Sequence, residues 1–179
     1  MSVIVLGVSG SIAAYKAADI AHRLVRQGDD VWVILSDGGA KFITPLTFQS
    51  LTGHPVAQDL FAGARSAVEH ITLAKDADLL LIAPATANVI AKIATGVADD
   101  LLTTVVCAAW RKPVVICPAM NTQMYENPIV QKNVETLKRL GFGLVEPRES
   151  LLACGDLGKG ALAEPEVIVA TVNARLGKP

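Results

Sequence analysis

The sequence has 179 residues and a formal net charge of −1, so it lacks the basic surplus with which proteins bind a nucleic acid backbone. Hydrophobic residues make up 51% of the chain and aromatic residues only 4%, which predicts a core of aliphatic side chains. No apolar run approaches the roughly 18 residues that cross a bilayer, and the three cysteines include no closely spaced pair that would bind zinc. We therefore expect one cytoplasmic domain over residues 1–179, without metal, membrane or nucleic acid partners.

Strand and helix patterns alternate along the chain. Apolar runs of strand length lie at residues 2–8, 31–36, 79–83, 114–117 and 144–145. Helical patterns follow them at residues 12–27, 45–52, 71–76, 87–95, 101–110, 128–140 and 165–176. This alternation predicts an α/β fold, a doubly wound parallel sheet with helices on both faces, as in Rossmann-like and flavodoxin-like three-layer sandwiches.

The helix pattern at residues 101–110 carries two further expectations. Asp99 lies just ahead of it and is a suitable N-cap residue. Cys107 lies within it, and an isolated cysteine in an apolar helix is most often a core thiol.

Polar side chains follow three of the predicted strands at the points where the strands end. They are Ser9 and Ser11 after the first strand, Ser36 after the second, and Thr86 and Asn88 after the third. The carboxyl ends of parallel strands meet at one edge of a sheet, so these groups are expected to gather there. The turn over residues 7–11 has no third glycine and is neither a dinucleotide fingerprint nor a Walker A loop. A phosphate site and a tight turn that binds nothing are equally compatible with it.

The loop after the fourth strand mixes an amide with soft apolar side chains. It begins at Pro118 and contains Met120, Asn121 and Met124. Beyond a strand end, such a loop could hold a polar acyl group against an apolar wall; methionines that merely fill gaps in the core are the alternative. We expect the next helix to begin only at Asn127 and Pro128, as its cap and its first residue.

Two further side chains are candidates for chemistry. His70 opens a short helix just ahead of a strand, and is either a catalytic base or a surface or capping residue. Cys154 lies among the glycines of residues 150–165, which we expect to form a mobile, solvent-accessible loop. Lys159 would lower the pKa of such a thiol, although an incidental thiol in a turn is the alternative. The residues alone thus predict a mononucleotide-binding α/β domain with a thiol on a lid, and leave the chemistry open.

A family resemblance is carried by four motifs: GVSGSIAAYKAADI at residues 7–20, PATANVIAKIATGVADDLLT at 84–103, PAMNTQMYENP at 118–128 and ACGDLGKGALAEPE at 153–166. In this order, over nearly the whole chain, they resemble the phosphopantothenoylcysteine decarboxylases of the homo-oligomeric FMN-containing cysteine decarboxylase family. The PAMN motif together with the Cys-Gly-Asp motif is the specific part of the resemblance.

The resemblance implies FMN-dependent decarboxylation of 4′-phosphopantothenoylcysteine to 4′-phosphopantetheine in coenzyme A biosynthesis. In that reaction the flavin oxidises the substrate thiol to a thioaldehyde, the carboxylate leaves as CO₂, and the enethiolate is reduced again. The alternatives are a peptidyl-cysteine decarboxylase or a flavin prenyltransferase of the same fold, and a non-catalytic flavin-binding subunit.

The resemblance also implies residue roles. His70 resembles the base of the oxidative half, Cys154 the proton donor of the reductive half, and Asn121 the catalytic residue that binds the substrate carboxylate. Met120 would lie beside the flavin or the substrate. The positions that resemble FMN contacts are Ser9, Ser11, Ser36, Phe42, Ala85, Thr86, Ala87, Asn88 and Ala119.

Assembly and chain length are implied in the same way. Relatives form homotrimers or dodecamers with FMN near subunit interfaces, and many bacterial relatives fuse a second, nucleotide-dependent synthetase domain. Residues 1–179 are therefore either a stand-alone enzyme or the N-terminal half of a longer bifunctional chain. Fused forms often have Arg-Met where this chain has Ala161 and Leu162, which leaves open what replaces that arginine.

Overall fold

The computed structural model describes residues 1–61, 69–151 and 157–178. Within these ranges the central sheet consists of β1 (Val3–Val8), β2 (Asp30–Leu35), β3 (Leu79–Ala85), β4 (Val114–Pro118) and β5 (Gly143–Leu144). A separate antiparallel pair consists of β6 (Arg148–Leu151) and β7 (Leu157–Ala161). The helices are α1 (Ala14–Arg26), α2 (Pro45–Thr52), α3 (Glu69–Asp76), α4 (Ala87–Thr95), α5 (Leu101–Ala108), α6 (Thr122–Glu126), α7 (Pro128–Arg139) and α8 (Pro165–Arg175). No helix in this part of the chain combines the length and the apolarity needed to cross a membrane.

The strand order of the central sheet is β2-β1-β3-β4-β5, and all its pairs are parallel. This is the flavodoxin-like order of a doubly wound sheet, so the predicted fold class is confirmed. The direction of winding reverses between β1 and β3. The loops after these two strands therefore diverge and leave a crevice, which is where doubly wound sheets bind their ligands.

Each face of the sheet is covered by helices. One core cluster joins alternate strand residues such as Ile4 and Leu81 to α1, α2 and α8. The other joins the intervening residues, such as Val5 and Ile82, to α3, α4, α5 and α7. Every residue of β3 is buried, which explains why its sequence is a continuous apolar run and not an alternating one.

Helix α5 corrects two predictions. Its N-cap is Asp100, not Asp99: the Asp100 carboxylate accepts from the backbone N–H of Thr103 at 2.8 Å, and the two residues form a reciprocal capping box. Asp99 instead pairs with Lys92 at 2.7 Å. Cys107 is exposed and is not a core thiol, because α5 faces the sheet through residues on its other side, Leu102, Val105 and Val106.

The region after β4 differs from expectation in two places. A short helix, α6, already begins at Thr122, so the prediction that no helix starts before Asn127 was wrong. Asn127 and Pro128 do begin α7 as predicted, and the Asn127 side chain accepts from the backbone N–H of Ile129 at 2.9 Å. In the described part of the glycine-rich segment, residues 150–151 end β6, and β7 pairs with β6. Cys154 lies outside the described residues.

Candidate active site

The ends of β1 and β3 are joined by the side chain of Ser9. Its hydroxyl donates to the carbonyl oxygen of Pro84 at 2.7 Å and accepts from the backbone N–H of Thr86 at 3.1 Å. The backbone N–H of Ser9 donates to the same Pro84 carbonyl at 3.3 Å. Ser9 is only 1% exposed, so its hydroxyl acts as an internal clamp between the two loops. A direct contact of Ser9 with a cofactor stays a prediction.

The loops after β1 and β2 touch through two glycines. A Cβ atom on Gly10 would lie 2.9 Å from the Cα of Gly38, so a side chain at Gly10 would require backbone movement. A Cβ atom on Gly38 would lie 3.1 Å from the Cα of Gly10, which is a tight contact. Ser36 fixes the second loop, because its hydroxyl accepts from the backbone N–H of Gly39 at 3.1 Å. The floor of the crevice is therefore formed at Gly10 and Gly38 by backbone atoms, without side chains.

Two cavities open from this crevice, and both are lined by Gly10 and Thr86. The larger has a volume of about 820 Å³ and the smaller of about 470 Å³, so each is of the size that holds small ligands. Of the sequence-predicted residues, the larger cavity is lined by Ser9, Ser36, Thr86, Ala87 and Asn88. The smaller cavity is lined by Ser11, Thr86, Ala119, Met120 and Asn121. The structure thus brings residues of three predicted motifs to one crevice.

Two predicted cofactor residues line neither cavity. Phe42 follows a short 3₁₀ helix (Gly39–Lys41) and is 48% exposed, whereas Ala85 is fully buried at the end of β3. Their contact with a cofactor stays a prediction.

Helix α4 begins at the crevice as the sequence predicts. Thr86 is its N-cap and its hydroxyl accepts from the backbone N–H of Val89 at 3.4 Å, while Gly96 ends the helix in the left-handed conformation. The first turn of α4, with Asn88, therefore points its backbone donors toward the larger cavity.

The two cavities differ in charge. The larger is lined by four aspartates, Asp37, Asp59, Asp99 and Asp100, and by one lysine. That residue, Lys92, is paired with two of the aspartates at 2.7 and 3.1 Å. The hydrogen bond to Asp99 is the main cause of the raised pKa of the Lys92 ammonium. Among the described residues that line the smaller cavity, the charged ones are Lys16 and Arg148, both cationic.

Asn121 lies on the wall of the smaller cavity with its side chain fixed. It is the N-cap of α6, and its carbonyl oxygen Oδ1 accepts from the backbone N–H of Gln123 at 2.9 Å. This bond uses the carbonyl oxygen of the side chain, whose other polar atom is the amide nitrogen, a donor. A donor of this kind suits a carboxylate ligand.

Strand β7 is held tightly against this loop. The backbone N–H of Met120 donates to the carbonyl oxygen of Gly160 at 2.9 Å. A Cβ atom on Gly158 would lie 2.4 Å from Oγ1 of Thr122, a buried hydroxyl that has no hydrogen-bond partner among the described residues. The strand that follows Cys154 in the sequence is therefore anchored to the loop that carries Asn121.

A second contact between these elements centres on Glu146. Its carboxylate accepts from the Tyr125 hydroxyl at 2.8 Å and from the ammonium groups of Lys159 and Lys138 at 2.9 and 3.2 Å. Burial raises the pKa of Glu146, but the hydrogen bonds outweigh it and lower the pKa to about 2. Burial and the bond to Glu146 raise the pKa of Tyr125 to about 12. Neither Glu146 nor Arg148 was among the predicted site residues, because neither lies in a recognisable motif.

His70 lies in the first described turn of α3 and lines neither cavity. Its ring nitrogen Nδ1 is buried and has no hydrogen-bond partner within residues 1–61, 69–151 and 157–178. The described part of one chain therefore does not bring His70 together with Asn121, and its role as a base stays a prediction. In the same part of the chain, no group of three or more His, Cys, Asp or Glu side chains could hold a metal ion.

A family model described as Flavoprotein matches residues 1–177, and the chain belongs to this family. Among curated relatives, it is 46% identical over 175 residues to the probable phosphopantothenoylcysteine decarboxylase of Streptococcus mutans, covering 97% of this chain and 98% of that protein. It is 49% identical over 167 residues to the coenzyme A biosynthesis bifunctional protein CoaBC of Bacillus subtilis, covering 93% of this chain but only 41% of that protein.

Solved structures agree with these relatives. A PPC decarboxylase mutant complexed with pantothenoylaminoethenethiol superimposes with a TM-score of 0.87 at 34% identity, covering 97% of each chain. The FMN-dependent cysteine decarboxylase SpaF superimposes with a TM-score of 0.85 at 30% identity, covering 99% of this chain and 98% of the other. These similarities confirm the family resemblance of the four motifs.

Proposed function

We propose that this chain is an FMN-dependent carboxy-lyase that converts 4′-phosphopantothenoylcysteine to 4′-phosphopantetheine in coenzyme A biosynthesis. Its similarity to a phosphopantothenoylcysteine decarboxylase over nearly the full length of both chains supports this substrate. The observation that carries the proposal is the joining of the two cavities at Gly10 and Thr86. The larger cavity is of a size that suits a mononucleotide, and the smaller one is lined by Asn121, which supports a cofactor and a substrate bound side by side.

FMN is the cofactor that the family membership and the SpaF structure support. The crevice fits it, because its floor is bare backbone at Gly10 and Gly38, and hydroxyl and amide groups surround it at Ser11, Thr86 and Asn88. When bound, FMN would supply a group that takes up a hydride from the substrate and later returns it.

Asn121 would bind the carboxylate that is lost. Its capping bond holds the side chain in one orientation, and Met120 beside it contributes an apolar surface to the same cavity. A carboxylate held there exchanges water for a fixed donor and an apolar wall, and loss of CO₂ moves the negative charge away from this poorly solvating wall onto the remaining part of the substrate.

The roles of His70 as base and Cys154 as proton donor rest on the family resemblance. His70 lines neither cavity in the described part of one chain, so we propose that a homotrimer or dodecamer completes the site. Ile12 and Tyr15 support such an assembly, because they are 57% and 60% exposed beside the smaller cavity. If FMN lies near a subunit interface, dilution to monomers should release it; a monomer that retains FMN tightly would contradict this assembly.

The central test is mass spectrometry of the products formed by the FMN-loaded protein from two substrates. We expect 4′-phosphopantothenoylcysteine to yield 4′-phosphopantetheine, and a peptide ending in cysteine to remain intact. Conversion of the peptide alone would identify a peptidyl-cysteine decarboxylase. A protein that binds FMN but releases CO₂ from neither would be a flavin-binding protein without this activity.

A further inference from the structure

The smaller cavity has a cationic edge, and its residues have no role in the reaction as proposed above. Lys16 on α1 and Arg148 on β6 both line it, together with Asn121. Their side chains are 18% and 37% exposed, so both are partly shielded from water and still open to a ligand. Because shielding strengthens charge interactions, this edge attracts an anion more strongly than a surface pair would.

One carboxylate holds both cations in place. Glu164 Oε1 lies 3.0 Å from Nε of Arg148, and its Oε2 lies 3.5 Å from Nζ of Lys16. Glu164 does not itself line the cavity. Glu164 therefore fixes the positions of Lys16 and Arg148 but neutralises only one of their two positive charges, so the cluster keeps a net charge of +1.

The guanidinium of Arg148 is oriented for a ligand with several acceptor oxygens. Its hydrogen bond to the Leu162 carbonyl, at 3.3 Å, and its close contact with Glu164 both involve Nε. Within the described residues, no hydrogen bond uses the two terminal nitrogens, which form the fork that matches phosphate geometry. Arg148 also pairs across the strands with Ala161, the position at which fused relatives often carry arginine.

We infer that Arg148 and Lys16, positioned by Glu164, bind a phosphate monoester at the edge of the smaller cavity. The inference rests on the proposed function, in which both the substrate and FMN carry such a group. Among the described residues that line the larger cavity the only cation is Lys92, which is already paired with two aspartates. Arg148 would thus take the place of the arginine that this chain lacks after Gly160.

Paired binding measurements on the Arg148→Gln variant test the inference and identify the source of the phosphate. The first pair is 4′-phosphopantothenate and pantothenate, titrated into the FMN-loaded protein; the second is FMN and riboflavin, titrated into the apoprotein. Loss of a charged bidentate contact should weaken the phosphorylated member of one pair roughly 10- to 100-fold and leave its unphosphorylated partner unchanged. The pair that shows the loss identifies whether the bound phosphate belongs to the substrate or to FMN.

Two further variants separate ligand binding from structural damage. Arg26→Gln removes an exposed arginine at the end of α1 and should change neither pair. Glu164→Gln removes the charge that competes with the ligand but keeps an amide oxygen that can accept from Arg148 and Lys16, so it should tighten binding of the same phosphorylated ligand, a gain that a damaged fold cannot produce. The Glu164 side chain makes no capping bond to α8, so this change leaves the helix start intact.

The outcomes for the phosphate site and for the proposed function can be told apart. If Arg148→Gln weakens both members of a pair equally, or neither, the phosphate site is refuted, whatever the protein's activity. If the selective loss occurs but the unaltered protein releases no CO₂ from 4′-phosphopantothenoylcysteine, the phosphate site stands and the proposed function falls.

Discussion

Gly160 and Met120 approach so closely that a Cβ atom on Gly160 would lie 2.2 Å from the Met120 carbonyl oxygen. The same two residues share a backbone hydrogen bond of 2.9 Å from the Met120 N–H to the Gly160 carbonyl. Strand β7 and the loop that carries Asn121 are therefore one structural unit. A residue type without a side chain is required at this junction.

Gly160→Ala should push β7 away from the loop that carries Asn121, because the new methyl group would clash with the backbone of Met120, which cannot rotate away as a side chain can. We expect a loss of about 1–3 kcal/mol in the free energy of unfolding, measured with urea, and a fall in kcat/KM for the proposed substrate. Gly143→Ala is the matched control, since its Cβ would meet only the flexible end of the Arg175 side chain, at 3.0 Å. Equal stability of the two variants would contradict the tight junction.

Ser9→Ala should loosen the crevice at its centre. The substitution leaves the Thr86 N–H and the Pro84 carbonyl without their hydroxyl partner, which should cost about 1–3 kcal/mol of unfolding free energy. FMN affinity, measured by flavin fluorescence, should fall as well, because the loops after β1 and β3 are no longer clamped. Ser50→Ala removes an exposed hydroxyl bond of 2.8 Å on α2 and should leave FMN affinity unchanged. Unaltered FMN binding by Ser9→Ala would show that the clamp does not shape the crevice.

Asn121→Asp should separate the role of this side chain as the N-cap of α6 from its proposed role in binding the substrate carboxylate. Aspartate can still accept the Gln123 N–H as an N-cap, so the free energy of unfolding should change little. A second carboxylate should repel that of the substrate and lower kcat/KM at least tenfold. Asn121→Ala, by contrast, should lose about 0.5–2 kcal/mol of stability along with activity. Full turnover by Asn121→Asp would exclude Asn121 from carboxylate binding.

The fold was predictable because the sheet is buried on both faces. Strands such as β3 must then be continuously apolar, and the turn residues between them mark the helices. The crevice followed from topology, since strand ends with Ser9, Ser11 and Thr86 must meet at one edge.

The parts that were missed depend on contacts between distant residues. Helix α6 has five residues, too few for a helical period to be recognised in the sequence. Glycines 158 and 160 lie in β7 because they meet the Met120 loop closely, and a sequence reader sees only a glycine-rich turn. The exposure of Cys107 follows from which side of α5 faces the sheet, and eight apolar-rich residues do not reveal that side.

The Glu146 cluster gives the stability of the protein a specific pH dependence. The pKa of Glu146 is about 2 in the folded protein and 4.5 in its ordinary state, so the unfolded chain binds the proton more readily. The stabilisation from its contacts with Lys159, Tyr125 and Lys138 should therefore be complete above pH 4.5 and be lost as the pH falls from 4.5 toward about 2. Glu146→Gln should be less stable at neutral pH and should lose less stability over that acidic range. Urea unfolding across the range measures both effects, with Glu149→Gln, an exposed position on β6, as the control. Parallel curves for Glu146→Gln and the unaltered protein would show that this carboxylate does not join β7 and α7 to the Asn121 loop.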